Sequence, residues 1–444
     1  MSLPRYPEYK DSGVAWLGEV PRHWDVLPCR AFVDEQTAKN DDGKNEDYLS
    51  LMANVGIIPY ADKGDVGNKK PEDLTKCKLV SKGDFVINSM NYGIGSYGLS
   101  ALDGICSPVY IVLRPRLDKI ESRYAFRIFE NRAFQTFAQS FGNGILEHRA
   151  AINWDILKSI GVGIPPKEEQ AAILNFLDRE TGNIDALVAE QEKLIALLKE
   201  KRQAVISHAV TNGLNPAAKM KDSGIEWLGE VPEHWDVVPL GHLATLIQTG
   251  PFGSQLHSED YVEGETPVIN PFNIQEGKLV ADWSCTVTQE IVARLSHHKL
   301  KLGDIVFARR GEMGRCAMVT VNEVNWLCGT GSLNVRLSRR AIPEFVSTYL
   351  RTEYVRELLK LESVGSTMDN LNTQILSRVS VPLPALDEQQ AITSFLDRET
   401  AKLDALTAEA NRAIALLQER RSALISAAVT GKIDVRVAQL SEAA

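Results

Sequence analysis

The chain repeats itself, and any fold it adopts must be built twice. Trp16-Leu17-Gly18-Glu19-Val20-Pro21-Arg22-His23-Trp24-Asp25-Val26 returns as Trp227-Leu228-Gly229-Glu230-Val231-Pro232-Glu233-His234-Trp235-Asp236-Val237, and the likeness begins at Lys10 and Lys221. A second pair follows. Glu169-Gln170-Ala171-Ala172-Ile173 and Phe176-Leu177-Asp178-Arg179-Glu180-Thr181 return as Glu388-Gln389-Gln390-Ala391-Ile392 and Phe395-Leu396-Asp397-Arg398-Glu399-Thr400. The offset grows from 211 (221 − 10) to 219 (388 − 169), so the second intervening segment is about eight residues longer.

The intervening segments, 29–163 and 240–382, resemble each other only faintly. Both carry a Gly-Asp before an apolar strand, Gly83-Asp84-Phe85-Val86-Ile87 and Gly303-Asp304-Ile305-Val306-Phe307. Both then reach a glycine turn, Gly93-Ile94-Gly95 and Gly311-Glu312-Met313-Gly314, and both close on Ile-Leu ahead of a proline-bearing exit. A shared frame with divergent inserts suggests common docking surfaces and two different recognition tasks.

Segments 167–210 and 386–429 predict long helices. Ile173, Leu177, Ile184, Leu187, Leu194, Leu198 and Val205 fall at helical spacing, as do Ile392, Leu396, Leu403, Leu406, Leu417 and Leu424. Leu177, Ile184, Gln191, Leu198 and Val205 sit seven apart, a coiled-coil-like stripe with one polar interruption. Pro165-Pro166 and Pro382/Pro384 open the helices, and Asn212-Gly213 and Gly431 suit their C-terminal caps. At 1.5 Å per residue each is about 65 Å long. Neither can cover its stripe alone, and antiparallel pairing of the two copies is the simplest solution. The expectation is therefore an α+β chain: two mixed α/β domains joined by two long antiparallel helices that form a coiled-coil-like rod. The boundaries are 1–163, 164–213, 214–382 and 383–444. In the inserts, 79–88, 109–113, 301–307 and 333–337 are strand-like. Segments 123–140 and 343–361 read as amphipathic helices, with Phe126, Phe129, Phe137, Tyr349 and Leu358-Leu359 inward.

The residue pattern carries no enzyme signature. No Gly-x-x-x-x-Gly-Lys-Ser/Thr loop, no Gly-x-Ser-x-Gly elbow and no Cys-x-x-Cys is present. Asn270-Pro271-Phe272-Asn273 resembles the Asn-Pro-Pro-aromatic loop of amino-methyltransferases but lacks the second proline, and reads better as a turn. His297-His298 reads as a surface pair. Six scattered cysteines fit reduced thiols in a cytoplasm, and no apolar run is long enough to cross a membrane.

The residues suited to nucleic acid are local. Arg309-Arg310 and Arg315 surround a glycine turn directly after a strand, where guanidinium groups can meet guanine edges or phosphates. Ser254 and Gln255 end a glycine-bearing loop, and a plain turn is an equal reading of it. Lys69 and Lys70, with Lys76, Lys78 and Lys82, suit phosphate contact. Asn88, Asn91 and Tyr92 stand where the second copy has Ala308, Gly311 and Glu312 (offset 303 − 83 = 220), which would make a different reader at an equivalent place. Arg336, Arg339 and Arg340 read as a solvated cluster. The net charge of −9 weighs against bulk binding to phosphates. Neither insert region is basic: 1–163 holds 20 Lys+Arg against 21 Asp+Glu, and 214–382 holds 16 against 20. Weak DNA affinity of the isolated chain is therefore expected.

Ile164-Pro165-Pro166-Lys167-Glu168-Glu169-Gln170-Ala171-Ala172-Ile173 and Leu383-Pro384-Ala385-Leu386-Asp387-Glu388-Gln389-Gln390-Ala391-Ile392 resemble the paired signature of the specificity subunits of type I restriction-modification systems. The two Trp-Leu-Gly-Glu-Val-Pro-x-His-Trp segments resemble the entry to their target-recognition domains. The likeness covers nearly the whole chain. It implies that each variable domain reads one half of a bipartite, asymmetric sequence in double-stranded DNA, and that the helices dock two methyltransferase subunits. S-adenosylmethionine and ATP would then lie on the methyltransferase and motor-nuclease partners, with no cofactor and no catalysis in this chain. The rival readings are a non-catalytic helical scaffold presenting two protein-binding domains, and a stand-alone DNA-modifying enzyme.

Overall fold

The computed structural model of the 444-residue chain describes residues 4–67, 69–142, 151–251, 255–311, 314–363 and 371–436. It divides into two compact units, Met1–Glu192 with Asn411–Ala444, and Lys193–Ala410. The long helices span Lys167–Asn212 and Leu386–Val429, so each is divided between the units. Gly213 and Gly431 end them in the left-handed region at φ +76° and +69°, where glycine carries no Cβ penalty.

The two units share one plan. A hairpin, Tyr9–Asp11 with Glu19–Pro21 in the first and Met220–Asp222 with Glu230–Pro232 in the second, carries the tryptophan segment. The chain then enters a strand that pairs antiparallel with the strand by which it will leave. These are Asp25–Pro28 with Gly161–Ile164, and Asp236–Pro239 with Ser380–Leu383. Each insert thus departs and returns at one ladder, so its interior can change while its ends stay fixed.

Each insert is built on a four-stranded antiparallel sheet. The strand order is Val33–Glu35, Tyr110–Pro115, Phe85–Asn88, Tyr97–Leu99 in the first and Ala244–Thr249, Ser332–Leu337, Ile305–Ala308, Cys316–Met318 in the second. The Gly-Asp motif has a structural meaning in both. Gly83 and Gly303 make turns at φ +92° and +79°. The buried Asp84 and Asp304 then receive bidentate guanidinium groups from Arg114 and Arg336 on the neighbouring strand, at 2.6–2.8 Å. Arg336 is therefore a structural residue, which corrects its reading as part of a solvated cluster. The glycines also split the expected strands: 79–88 becomes Lys78–Val80 and Phe85–Asn88, and the second strand begins only at Ile305. The second insert adds a sheet of Tyr261–Val262, Thr286–Val287, Thr266–Ile269 and Leu327–Cys328, the last two parallel.

The amphipathic segments each form two helices, Ser122–Glu130 and Arg132–Gln139, then Pro343–Leu350 and Glu353–Ser363. Asn131 interrupts the first pair at ψ 121° and caps the second helix through Ala133 N–H. Phe129, Tyr349 and Leu359 are buried as the periodicity requires, while Phe126, Phe137 and Leu358 are half-buried.

Antiparallel pairing of the helices holds inside each unit. In the first, Ile173 and Leu177 share a core with Ile425, Ala428 and Val429, and Arg421 reaches Asp185 at 3.0 Å. In the second, Ala209 and Val210 share a core with Ile392 and Leu396, and Arg202 reaches Asp404 at 3.2 Å. The stripe is narrower than the spacing suggested: Leu187, Leu194 and Leu406 are exposed, because two helices meeting along one seam cover only one face.

The Glu-Gln pairs at the helix starts work as clamps. Buried Gln170 accepts from Glu121 N–H at 3.0 Å and donates to Pro165 O at 3.0 Å; Gln389 does the same with Ile342 (2.7 Å) and Pro384 (2.9 Å). Each glutamine thereby ties a long helix to the first short helix of its insert.

Candidate nucleic-acid interface

In the first unit, several backbone and side-chain bonds hold the turn that follows the Gly-Asp strand. Asn88 closes it. Its N–H donates to Ser96 O, its carbonyl accepts from Asn91 N–H, and its amide oxygen accepts from Met90 N–H at 3.1 Å. Gly93 leaves room for the Gln139 amide, and Arg132 donates to Gly93 O. Gly95, at φ +88°, leaves room for Asn54, whose own φ is +61° and whose N–H donates to Gly95 O at 2.9 Å. The tip presents Met90, Ile94 and Val55, each more than half exposed.

This placement corrects two of the sequence assignments. Tyr92 is wholly buried and donates its hydroxyl to Phe129 O at 2.5 Å, so it holds the turn from beneath and offers nothing to a ligand. Burial holds that phenol well above its ordinary pKa. Asn88 is likewise buried and spent on the turn. Asn91 remains half-exposed beside the apolar tip. Nothing in the sequence marks Met90, Ile94 and Val55 as an exposed apolar tip, and Asn54 reaches the turn from 41 residues away along the chain (95 − 54).

In the second unit the equivalent turn carries the arginines. Arg309 N–H donates to Gly331 O, its carbonyl accepts from Leu371 N–H, and its Nε donates to Leu371 O at 3.2 Å. Burial, and then the neighbouring Arg310, lower its pKa. Arg309 is half-buried and structural, Arg310 is exposed, and Arg315 is half-buried with Nη2 donating to Pro271 O at 2.9 Å. That bond places Phe272, which is 52% exposed, next to the arginine turn. The Asn-Pro-Phe-Asn segment is a short helical turn closed by Asn270 and Asn273, as its reading as a turn required.

Among the remaining candidates, Gln255 is exposed and its carbonyl accepts from Arg294, while Ser254 lies outside the described residues. Lys69 and Lys70 are exposed, Lys70 reaching Glu46 O at 3.2 Å. Lys78 leaves the basic run: it is largely buried, donating to Tyr110 O at 2.8 Å near Glu35. His298 is also buried, which corrects the surface pair, and burial lowers its pKa. Among the described residues no His, Cys, Asp or Glu cluster could hold a metal, and no helix is long and apolar enough to cross a membrane.

The structure thus defines a duplicated protein, with one frame and two differently composed turns after the Gly-Asp strands. The model of the type I restriction modification DNA specificity domain matches residues 39–196 and 232–415, and the chain belongs to that family. It is 22% identical over 426 residues to the type I restriction enzyme MjaVIII specificity subunit of Methanocaldococcus jannaschii, covering 94% of each. It is 24% identical over 441 residues to the EcoKI specificity subunit of Escherichia coli K12, covering 94% of this chain and 90% of that one. Among solved structures it is similar to a chain from work on complex assembly and conformational transition of the type I R-M system. There the TM-score is 0.70 at 16% identity, covering 92% of this chain and 98% of that one. The HsdS subunit from Thermoanaerobacter tengcongensis gives 0.51 at 17%, covering 93% and 98%. The two divergent domains are DNA specificity domains, and DNA recognition is the chain's role.

Proposed function

We propose that each unit reads one half of a split, asymmetric DNA target, and that the shared helices dock two methyltransferase subunits. The observation that carries this is where sameness and difference fall. Helices, caps, clamps and entry ladders recur at matching places with closely related residues, while the turns after the Gly-Asp strands differ: apolar with Asn91 in one unit, arginine-bearing in the other. Two identical partners can bind a repeated frame; two different half-sites need different tips. Leu187, Leu194, Leu197, Leu406 and Leu416 stand exposed on the helices as apolar contacts for those partners. In this reading S-adenosylmethionine and ATP belong to the methyltransferase and motor-nuclease subunits, catalysis lies outside this chain, and the assembly works in the cytoplasm.

The test is replacement of residues 29–163 by the counterpart from another specificity subunit, followed by mapping of the methylated motif. One half of the motif is expected to change and the other to persist; an unchanged motif would sink the reading. At finer grain, Arg310→Ala in the assembled methyltransferase should cost about 1–3 kcal/mol of binding and relax discrimination within one half-site only. Lys69→Ala with Lys70→Ala should instead weaken all sequences alike and lower the salt dependence of binding, as loss of phosphate contacts does. Fluorescence anisotropy on target and scrambled duplexes across a salt series separates the two behaviours.

A further inference from the structure

The repeat supplies an internal control for every side chain, and at one seam the copies differ in a way that opens space. Buried Tyr124, Ala125, Ile128, Phe129, Phe134 and Ala138 match buried Phe345, Val346, Tyr349, Leu350, Val355 and Leu359 at a constant offset of 221 (345 − 124). Strand register matches Tyr97, paired with Ile87, to Cys316, paired with Phe307. The long helices match at 219, so Asp178 corresponds to Asp397, Asp185 to Asp404 and Arg421 to Arg202.

In the first unit this seam, between the short helix and the long ones, is filled. The Tyr97 ring packs on Phe126, and Arg127 lies over Phe126. Arg123 and Arg127 hold Asp178 at 2.6 and 3.4 Å, and Arg421 holds Glu130 at 3.1 Å. In the second unit Tyr97 becomes Cys316, Phe126 becomes Ser347, Arg127 becomes Thr348 and Glu130 becomes Arg351. The long-helix wall is nearly unchanged, only Gln203 differing from its counterpart Ser422, and a cavity of about 780 Å³ lies at this seam, with residues 274–277 of the insert completing its lining. Arg202, Arg351, Cys316, Thr348, Tyr354 and Asp397 are among its lining residues. Arg351 is held there, its Nη2 donating to Glu276 O at 3.3 Å and its guanidinium lying against Gly277. Asp397, whose counterpart is gripped by two arginines, makes no ion pair among the described residues.

We propose that this cavity binds a small organic anion of nucleotide size, with Arg351 and Arg202 taking its oxyanion and Asp397 taking hydroxyl or amino donors. The volume lies in the range of small-molecule sites. Four arginines and four carboxylates line it, so a ligand must satisfy both signs, which a bare phosphate does not. Arg351 stands where the first copy has the carboxylate of Glu130, so in the second copy two guanidinium groups, Arg351 and Arg202, line a place where the first copy pairs Arg421 with an acid. A phosphate or carboxylate brought in from solution restores the missing charge.

Isothermal titration of the full chain with AMP, citrate and inorganic phosphate tests this. An organic anion, AMP or citrate, is expected to bind at one site per chain and more tightly than phosphate. Thr348→Arg and Arg351→Glu install side chains that the first unit already accommodates at the matching places, and each should weaken binding by about ten-fold or more. If one variant fails to fold, the other decides. Binding of phosphate alone, a stoichiometry of two, unaltered affinity in the folded variants, or no binding by any probe up to about 10 mM would each overturn the proposal. The test uses neither DNA nor methyltransferase, so its failure leaves the recognition reading standing.

Discussion

Asp304→Ala is expected to destabilise the second unit by about 3–5 kcal/mol. The carboxylate is almost wholly buried and receives four donors: Arg336 Nε at 2.7 Å, Arg336 Nη2 at 2.6 Å, Asn334 Nδ2 at 3.0 Å and Lys301 N–H at 2.8 Å. Alanine leaves an amide and a backbone N–H without their acceptor, and a guanidinium that keeps only Lys299 O at 3.3 Å while its side chain is just 26% exposed. Removing one partner of such a pair costs more than the pair is worth, because the other charge stays behind. Asp84→Ala should cost less, about 2–3 kcal/mol. Its Arg114 is 46% exposed and can turn to water, and its remaining donor is Ser81 N–H at 2.8 Å. Urea titration of the two variants, with hydrogen exchange over each central sheet, measures the difference. Equal and small losses would mean that the Gly-Asp motif is a turn signal only. Because the strand after each aspartate runs directly into the turn proposed to read DNA, Asp304→Ala should also weaken DNA binding in one half-site.

The repeat made the frame legible. A duplicated helix signature could be explained only by a duplicated environment; the caps at Gly213 and Gly431 and the proline entries follow from local rules, and the antiparallel pairing from two apolar stripes that neither helix covers alone. At the turns after the Gly-Asp strands, the sequence marked as exposed some residues that the fold buries. Composition can mark Tyr92 and Asn88 as polar and suited to DNA, but only tertiary packing decides that one fills a core and the other closes a turn. Arg336 and Lys78 misled for the same reason: a charged side chain looks solvated until its buried partner, tens of residues away, is known. The cavity was illegible in either copy alone. Its comparison with the first copy needs the alignment of the two inserts at 221, which becomes visible only when burial is known.

Glu169→Ala is expected to cost the first unit about 2–4 kcal/mol, and the matching Glu388→Ala under about 1 kcal/mol in the second. The two glutamates occupy the same position in the same signature, and sequence alone assigns them the same weight. Their surroundings differ. Glu169 is 5% exposed; its Oε1 accepts from Tyr6 Oη at 2.5 Å and Trp24 Nε1 at 2.9 Å, and its Oε2 meets His23 Nε2 at 2.7 Å. Tyr6 is itself held by the segment after the second helix: Asp434 N–H donates to Pro4 O, and Arg436 lies over the Tyr6 ring. Burial and the Glu169 carboxylate keep the Tyr6 phenol protonated, so it acts as a donor throughout the ordinary pH range. Alanine would orphan two buried donors at once. Among the described residues Glu388 bonds only to the exposed His234, at 2.9 Å, and Trp235 Nε1 has no partner. Glu169→Gln keeps an acceptor and should recover part of the loss. Hydrogen exchange over 4–28 and 425–436 reports whether the damage is local to this closure. Equal losses in both units would mean that the glutamate serves the helix start alone, and that the tyrosine and tryptophan bonds add nothing to the first unit.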